Sequence, residues 1–182
     1  TIYTEKIDLY NEVSDDGLLL RLPRVINDYY DYSKCLLVGE VGSLNKYKNN
    51  ELYTDFSFNV VNSYAVAFLH SLGVKRVTLS YELTKDEMEN IVNCYRNRYN
   101  NNPNLEVIVS SRPEVMISKF NLVKHYGCTG HTNYLKDSFG NLFPVTSDDD
   151  FMRIYHYQKL EDNDYDSYFN IGINHLRIHR NF

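Results

Sequence analysis

Residues 52–83 read LYTDFSFNVVNSYAVAFLHSLGVKRVTLSYEL, and this stretch decides the fold. It begins with a strand-like run at 52–56 and ends with another at 76–79. The run between them predicts a helix that stops at Gly73, a residue suited to a helix C-terminus. The apolar residues predicted to share its buried face are Val60, Tyr64, Ala67, Phe68 and Leu72. A strand, a helix and a second strand in this order predict a βα unit of a parallel sheet.

The same alternation recurs along the chain. Further apolar runs predict strands at residues 2–4, 18–22, 35–38, 105–109 and 175–178. They are nearly continuous in apolar character, which is typical of strands that are covered on both faces. A second helix follows Thr84, where TKDE at 84–87 predicts a capping box. Its predicted buried stripe is Met88, Ile91, Val92 and Tyr95.

One segment breaks the alternation. Residues 137–141, DSFGN, lie between two short apolar runs and predict a hairpin turn in which Gly140 supplies the positive φ. We therefore expect one domain over residues 1–182, with a hairpin-containing insertion at 116–160.

Composition narrows the function classes. The chain has 182 residues, a net charge of −5 and a pI near 5.6, which argues against a generally basic nucleic-acid surface. No run reaches the roughly 18 apolar residues of a membrane span. The three cysteines, Cys35, Cys94 and Cys128, are odd in number and far apart, so we expect no disulfide framework and a cytoplasmic location.

Polar residues follow each predicted strand. In a parallel α/β barrel the working groups lie where strands end, so these residues predict a polar pocket. Asp55 or Glu82 would be the catalytic acid–base group, and the substrate-binding residues would be Arg24, Asn59, Asn62 and Arg112.

Structural roles are open for the same residues. Asn59 could cap the helix that follows it. Asp55 could form a structural salt bridge with an arginine. Glu82 and Arg24 could be solvated surface residues. The spacing of His125, Cys128 and His131 is metal-like, but zinc would need a fourth ligand, so we expect no metal.

Six segments together resemble the collagenase-like peptidase family, peptidase family U32. They are LRLPRV, LLVGEVGSL, residues 53–83, LEVIVSSRPEVM, YLKDSFGNLFPV and GINHLRI, in the order in which the family has them. The resemblance implies an α/β fold, a partial TIM-barrel-like parallel sheet whose first one or two βα units lie outside this chain. It implies peptidase activity on collagen-like substrates or hydroxylation of RNA bases or ubiquinone, in several members with an iron–sulfur cluster on four cysteines.

The chain departs from the family at the cluster. Asn121 and Phe151 stand about where the first and last cluster cysteines would be, and only Cys128 is kept. One cysteine cannot hold a four-thiolate cluster, so we expect no cofactor.

Two hypotheses follow. The chain is an enzyme acting on a macromolecule, either protein or RNA, or it is a non-catalytic, cluster-free barrel subunit that scaffolds a partner. Two separate salt bridges for Asp55 and Glu82 would favour the scaffold. Expected partners are the missing amino-terminal half, a partner subunit or a second copy, which would cover a surface including Leu18, Leu20, Ile178 and Phe182.

Overall fold

The computed structural model describes residues 2–4, 18–25, 35–128, 133–148 and 151–179. The chain divides into two compact units. Unit 1 comprises residues 1–108 and 164–176, and unit 2 comprises residues 109–163 and 177–182. The sequence predicted one domain with an insertion at 116–160. That insertion lies within residues 109–163, which form most of unit 2.

The described residues form strands and helices in alternation. The strands are β1 (Ile2–Thr4), β2 (Leu18–Arg21), β3 (Leu36–Val38), β4 (Leu52–Thr54), β5 (Arg76–Thr78), β6 (Leu105–Ser111), β7 (Glu114–Ser118), β8 (Asn133–Lys136), β9 (Leu142–Ser147), β10 (Met152–Tyr155), β11 (Leu160–Glu161) and β12 (His175–Ile178). The helices are α1 (Val41–Lys46), α2 (Ser63–Ser71), α3 (Lys85–Tyr99), α4 (Leu122–His125) and α5 (Tyr165–Ile171), with a 3-10 turn at Phe56–Phe58.

Unit 1 is built on a parallel sheet. Strands β1 to β6 lie side by side in sequence order, and every pair between them is parallel. β12 pairs with β6. The backbone N–H groups of Asn174 and His179 donate to Leu105 and Ser110, so β12 runs parallel to β6. This curled sheet confirms the predicted partial TIM-barrel-like fold.

The strands of unit 1 are buried because both faces of the sheet are covered. All three residues of β3 have no exposed surface, and Val77 in β5 and Leu105 in β6 have none either. This is the arrangement that the continuous apolar runs predicted.

Helix α3 begins as predicted. The Thr84 side chain accepts from the Glu87 N–H, and the Glu87 carboxylate accepts from the Thr84 N–H, which together form a capping box. The helix ends at Asn100, which takes a left-handed conformation with φ 50°. Its buried residues are Met88, Ile91, Val92 and Tyr95, as predicted.

The predicted buried face of α2 is wrong. Tyr64 and Phe68 are 64% and 62% exposed, and Leu72 is also exposed. The helix instead buries Ser63, Val66 and Leu69. Asn62 caps the helix by accepting from the Ala65 N–H. The predicted stop is right, because Gly73 follows with φ 90°.

Unit 2 contains an antiparallel sheet in the order β7-β10-β9-β8. The predicted hairpin joins β8 to β9, and Gly140 has φ 92°. The Asp137 carboxylate accepts from the N–H groups of Phe139 and Asn141, which closes the turn. The core of this sheet is Val123, Val145, Met152 and Ile154.

The expectation of an exposed apolar surface is wrong for Leu20, which is 2% exposed because it lies inside the sheet between β1 and β3. Ile178 is exposed. Phe182 and the Leu18 side chain lie outside the described residues. Within the described segments, none of the helices combines the length and apolar character of a membrane span.

Candidate functional site at the strand ends

The carboxyl ends of β2 and β4 carry an ion pair. Arg21, the last residue of β2, places Nε 2.7 Å from Oδ2 of Asp55, which directly follows β4. Asp55 is 3% exposed, and its second oxygen accepts from the Phe56 N–H at 2.8 Å. The structural salt bridge left open by the sequence is therefore present. The Asp55 side chain also caps the following 3-10 turn.

Aromatic side chains lie against the same pair. The guanidinium carbons of Arg21 and Arg24 are 5.9 Å and 6.0 Å from the centre of the Phe56 ring, within the range of cation–π attraction. The Tyr81 ring, which follows β5, packs against Phe56 with 4.8 Å between centroids. Arg24 is an exposed residue at this edge of the sheet.

Gly39 allows these loops to approach closely. A β-carbon added at Gly39 would lie 3.2 Å from Oγ of Ser57 and 3.3 Å from Cα of Arg24. The Ser57 hydroxyl donates to the Gly39 carbonyl at 2.6 Å. The exits of β2, β3 and β4 are thus packed together around a residue without a side chain.

Asn59 is held by the exit of β5. It ends the 3-10 turn in a left-handed conformation, with φ 49°, and its Oδ1 accepts from the Ser80 hydroxyl at 2.7 Å. Asn59 does not cap α2, so that alternative is wrong, and Asn62 has that role. Both asparagines are exposed.

Glu82 follows in the same loop as Ser80. Its N–H donates to the Ser80 hydroxyl at 3.3 Å, and the residue is exposed. Among the described residues its carboxylate forms no hydrogen bond or ion pair. Of the two candidate acid–base groups, Asp55 is paired and buried, whereas Glu82 is open to solvent.

Arg112 belongs to unit 2. Its Nη1 donates to the carbonyl oxygens of His156 and Tyr157 at 3.1 Å and 2.6 Å. These bonds tie the residues after β6 to the chain that follows β10.

A second charged group in unit 1 was missed from the sequence. Glu106 in β6 is 2% exposed, accepts from Thr78 Oγ1 at 3.0 Å and pairs with Arg76 Nη1 at 3.3 Å. Burial lowers the pKa of His175, and the positive charge of Arg76 lowers this pKa further. The negative charge of Glu106 acts in the opposite direction and raises it. The available signal was a glutamate inside the apolar run LEVIV.

The positions of the missing cysteines carry hydrogen bonds in unit 2. The Asn121 amide caps α4 and its Nδ2 donates to the Asp148 carbonyl at 3.5 Å. Phe151 is 5% exposed, and its N–H donates to the Asp148 carboxylate at 2.7 Å. Cys128 is an exposed free thiol, and His131 lies outside the described residues. The described segments contain no cluster of three or more histidine, cysteine or acidic residues suited to a metal.

Comparison with known proteins agrees with the residue pattern. The family model described as peptidase family U32 matches residues 34–133, which is more than half of the chain. That range includes β3 to β6 and the exits that carry Asp55, Asn59 and Glu82. Neither the curated proteins nor the solved structures gave a match. On the family match, this chain belongs to peptidase family U32.

Proposed function

We propose that this chain acts, as a U32-like enzyme, on a macromolecule bound at the strand ends of unit 1. The observation that carries the proposal is the different state of two carboxylates at that edge. Asp55 is buried in an ion pair, and Glu82 is exposed without a partner in the described part of the chain. A group that transfers protons to a substrate must be able to reach it, so Glu82 is the acid–base residue in this proposal.

The remaining groups bind and orient. Arg24 offers an exposed positive charge, and Asn59 and Asn62 offer exposed amides. Asp55 pairs with Arg21 and accepts from the Phe56 N–H. These contacts support the Phe56 ring, against which the Tyr81 ring packs. The substrate is a peptide chain of the collagen type or an RNA base, and the location we propose is the cytoplasm.

The second candidate is a cluster-free barrel that scaffolds a partner. It is favoured by the Arg21–Asp55 pair, since one of the two candidate carboxylates has a structural partner. The scaffold is also favoured by the hydrogen bonds from Asn121 and Phe151 to Asp148, because the resemblance places cluster cysteines at these two positions. Under this alternative, a partner subunit or a second copy binds the chain.

One experiment separates the two candidates. The protein is incubated with gelatin, and with total RNA plus an external two-electron oxidant, and products are identified by mass spectrometry. New peptide termini, or hydroxylated nucleosides that form only when the oxidant is present, support the enzyme if they disappear in Glu82→Gln. A stable homo-oligomer in sedimentation, with unchanged substrates under every condition, supports the scaffold.

A further inference from the structure

Ser80 connects two strand exits. It follows β5, is 5% exposed, and donates its backbone N–H to the carbonyl of Val60 at 3.1 Å. Its hydroxyl donates to Oδ1 of Asn59 at 2.7 Å and accepts from the N–H of Glu82 at 3.3 Å. One buried hydroxyl therefore contacts both a proposed binding residue and the backbone of the proposed acid–base residue.

This bond decides which atoms Asn59 can offer. An asparagine side chain has one acceptor oxygen and two N–H donors. In Asn59 the oxygen is occupied by Ser80, and Nδ2 has no partner among the described residues. The oxygen of Asn62 is occupied in the same way by the Ala65 N–H. In both asparagines the oxygen thus already accepts one bond, whereas the Nδ2 donors have no partner among the described residues.

The backbone of Asn59 supports the same arrangement. Its φ of 49° lies in the left-handed region, which residues other than glycine and asparagine seldom adopt. Its backbone N–H donates to the Phe56 carbonyl at 2.9 Å. The turn therefore holds the backbone of Asn59, and the bond to Ser80 holds its side chain. Strained backbone that is held by its surroundings is often found at binding sites.

We propose that Ser80 is a positioning residue that fixes the Asn59 amide as a hydrogen-bond donor to an acceptor oxygen of the substrate. The proposal rests on the proposed function, because it assigns the role within the same site. The recognised group is an acceptor oxygen, either the carbonyl of a peptide bond or a base carbonyl or phosphate oxygen of an RNA. The Glu82 carboxylate is an acceptor in the same site. The Ser80 hydroxyl holds Glu82 by accepting from its backbone N–H.

The positioning step is tested without any substrate. Side-chain amide signals of ¹⁵N-labelled protein are compared for wild type, Ser80→Ala and Ser80→Thr. Ser71→Ala is the matched control, since that hydroxyl donates to the Phe68 carbonyl on α2. We expect Ser80→Ala to shift the Asn59 amide pair and to increase its fast motion, and Ser80→Thr to restore it. Unchanged Asn59 signals in Ser80→Ala would overturn the positioning role.

The donor role is tested by Asn59→Asp. This change keeps the oxygen that Ser80 contacts and tolerates the left-handed backbone, but replaces the N–H donors with an acceptor. Asn93→Asp, at an exposed position on α3, makes the same change of charge elsewhere.

On gelatin or RNA, whichever the wild type processes, we expect kcat/KM to fall about tenfold or more in Asn59→Asp, the scale of one lost hydrogen bond. Little change is expected in Asn93→Asp. Equal activity of Asn59→Asp and wild type would overturn the donor role. If the wild type processes neither substrate, the proposed function fails, and the amide signals alone decide the role of Ser80.

Discussion

Arg21 and Asp55 form an ion pair that spans β3, the strand between them. Arg21 lies opposite Leu37 and Leu37 lies opposite Tyr53, so the residues two positions further on, Gly39 and Asp55, share the face of Arg21. Across this strand, Arg21 Nε lies 2.7 Å from Asp55 Oδ2. The pair fixes three strand exits relative to one another.

Removal of one partner deprives the other, largely buried charge of this ion pair. We expect Asp55→Asn to lower the free energy of unfolding by about 3 kcal/mol, because a buried guanidinium loses its carboxylate. The double variant Arg21→Met with Asp55→Asn should recover part of that loss. Urea denaturation of both single variants and the double variant measures the coupling. Additive effects would show that the two side chains do not depend on each other.

Gly39 is required for the close approach of these exits. A β-carbon there would meet Ser57 and the backbone of Arg24 at 3.2–3.3 Å, so the loops must move apart. We expect Gly39→Ala to destabilise the protein by about 1–3 kcal/mol, the usual cost of overpacking. Thermal melting checks this, with Gly42→Ala at an exposed position of α1 as the control. Equal melting temperatures for the two variants would contradict the packing described here.

The pH dependence of stability has a contribution from His175. Burial lowers its pKa in the folded state, and the charge of Arg76 lowers it further. The unfolded chain therefore binds a proton at His175 more readily than the folded protein does. The resulting contribution to the free energy of unfolding is fully present above about pH 6.5. It is lost as the pH falls through the lower folded pKa. His175→Gln should make the free energy of unfolding less dependent on pH below about 6.5, as measured by urea titrations across that range. An unchanged slope would exclude His175 as the source.

The purified protein should contain no metal cluster in unit 2. Asn121 and Phe151 bind Asp148 where the resemblance places cysteines, and Cys128 is exposed. We expect elemental analysis of protein purified without oxygen to give no stoichiometric iron or zinc. Stoichiometric iron that is lost in Cys128→Ser, but kept in Cys94→Ser, would contradict this expectation.

Much of unit 1 could be predicted from the sequence because its signals are local. Continuous apolar runs placed β3, β5 and β6, and the TKDE motif placed the start of α3. In unit 2, Gly140 placed the hairpin for the same reason. Each of these features depends on residues adjacent in sequence.

The orientation of α2 could not be predicted in this way. The apolar stripe of Tyr64, Phe68 and Leu72 suggested a buried face, but the structure buries Ser63, Val66 and Leu69. Helical periodicity identifies a face without stating which side the sheet covers. That choice depends on the strands that the helix packs against.

The site was predicted as a set of residues but without its contacts. Asp55, Asn59 and Glu82 were expected at strand ends, where the structure has them. Their different states arise from bonds to Arg21 and Ser80, which lie 34 and 21 residues from Asp55 and Asn59 along the chain. Such pairings follow from strand register, which no local pattern encodes.

The role proposed for Glu82 is that of the acid–base group in a working site. Its most direct test is kcat/KM on gelatin and on RNA for wild type, Glu82→Gln and Glu89→Gln, the last being the same change at an exposed position of α3. We expect product from one substrate with the wild type, a loss of about 100-fold or more in Glu82→Gln, and little change in Glu89→Gln. Wild-type activity that Glu82→Gln retains in full would contradict it, as would the absence of product from both substrates.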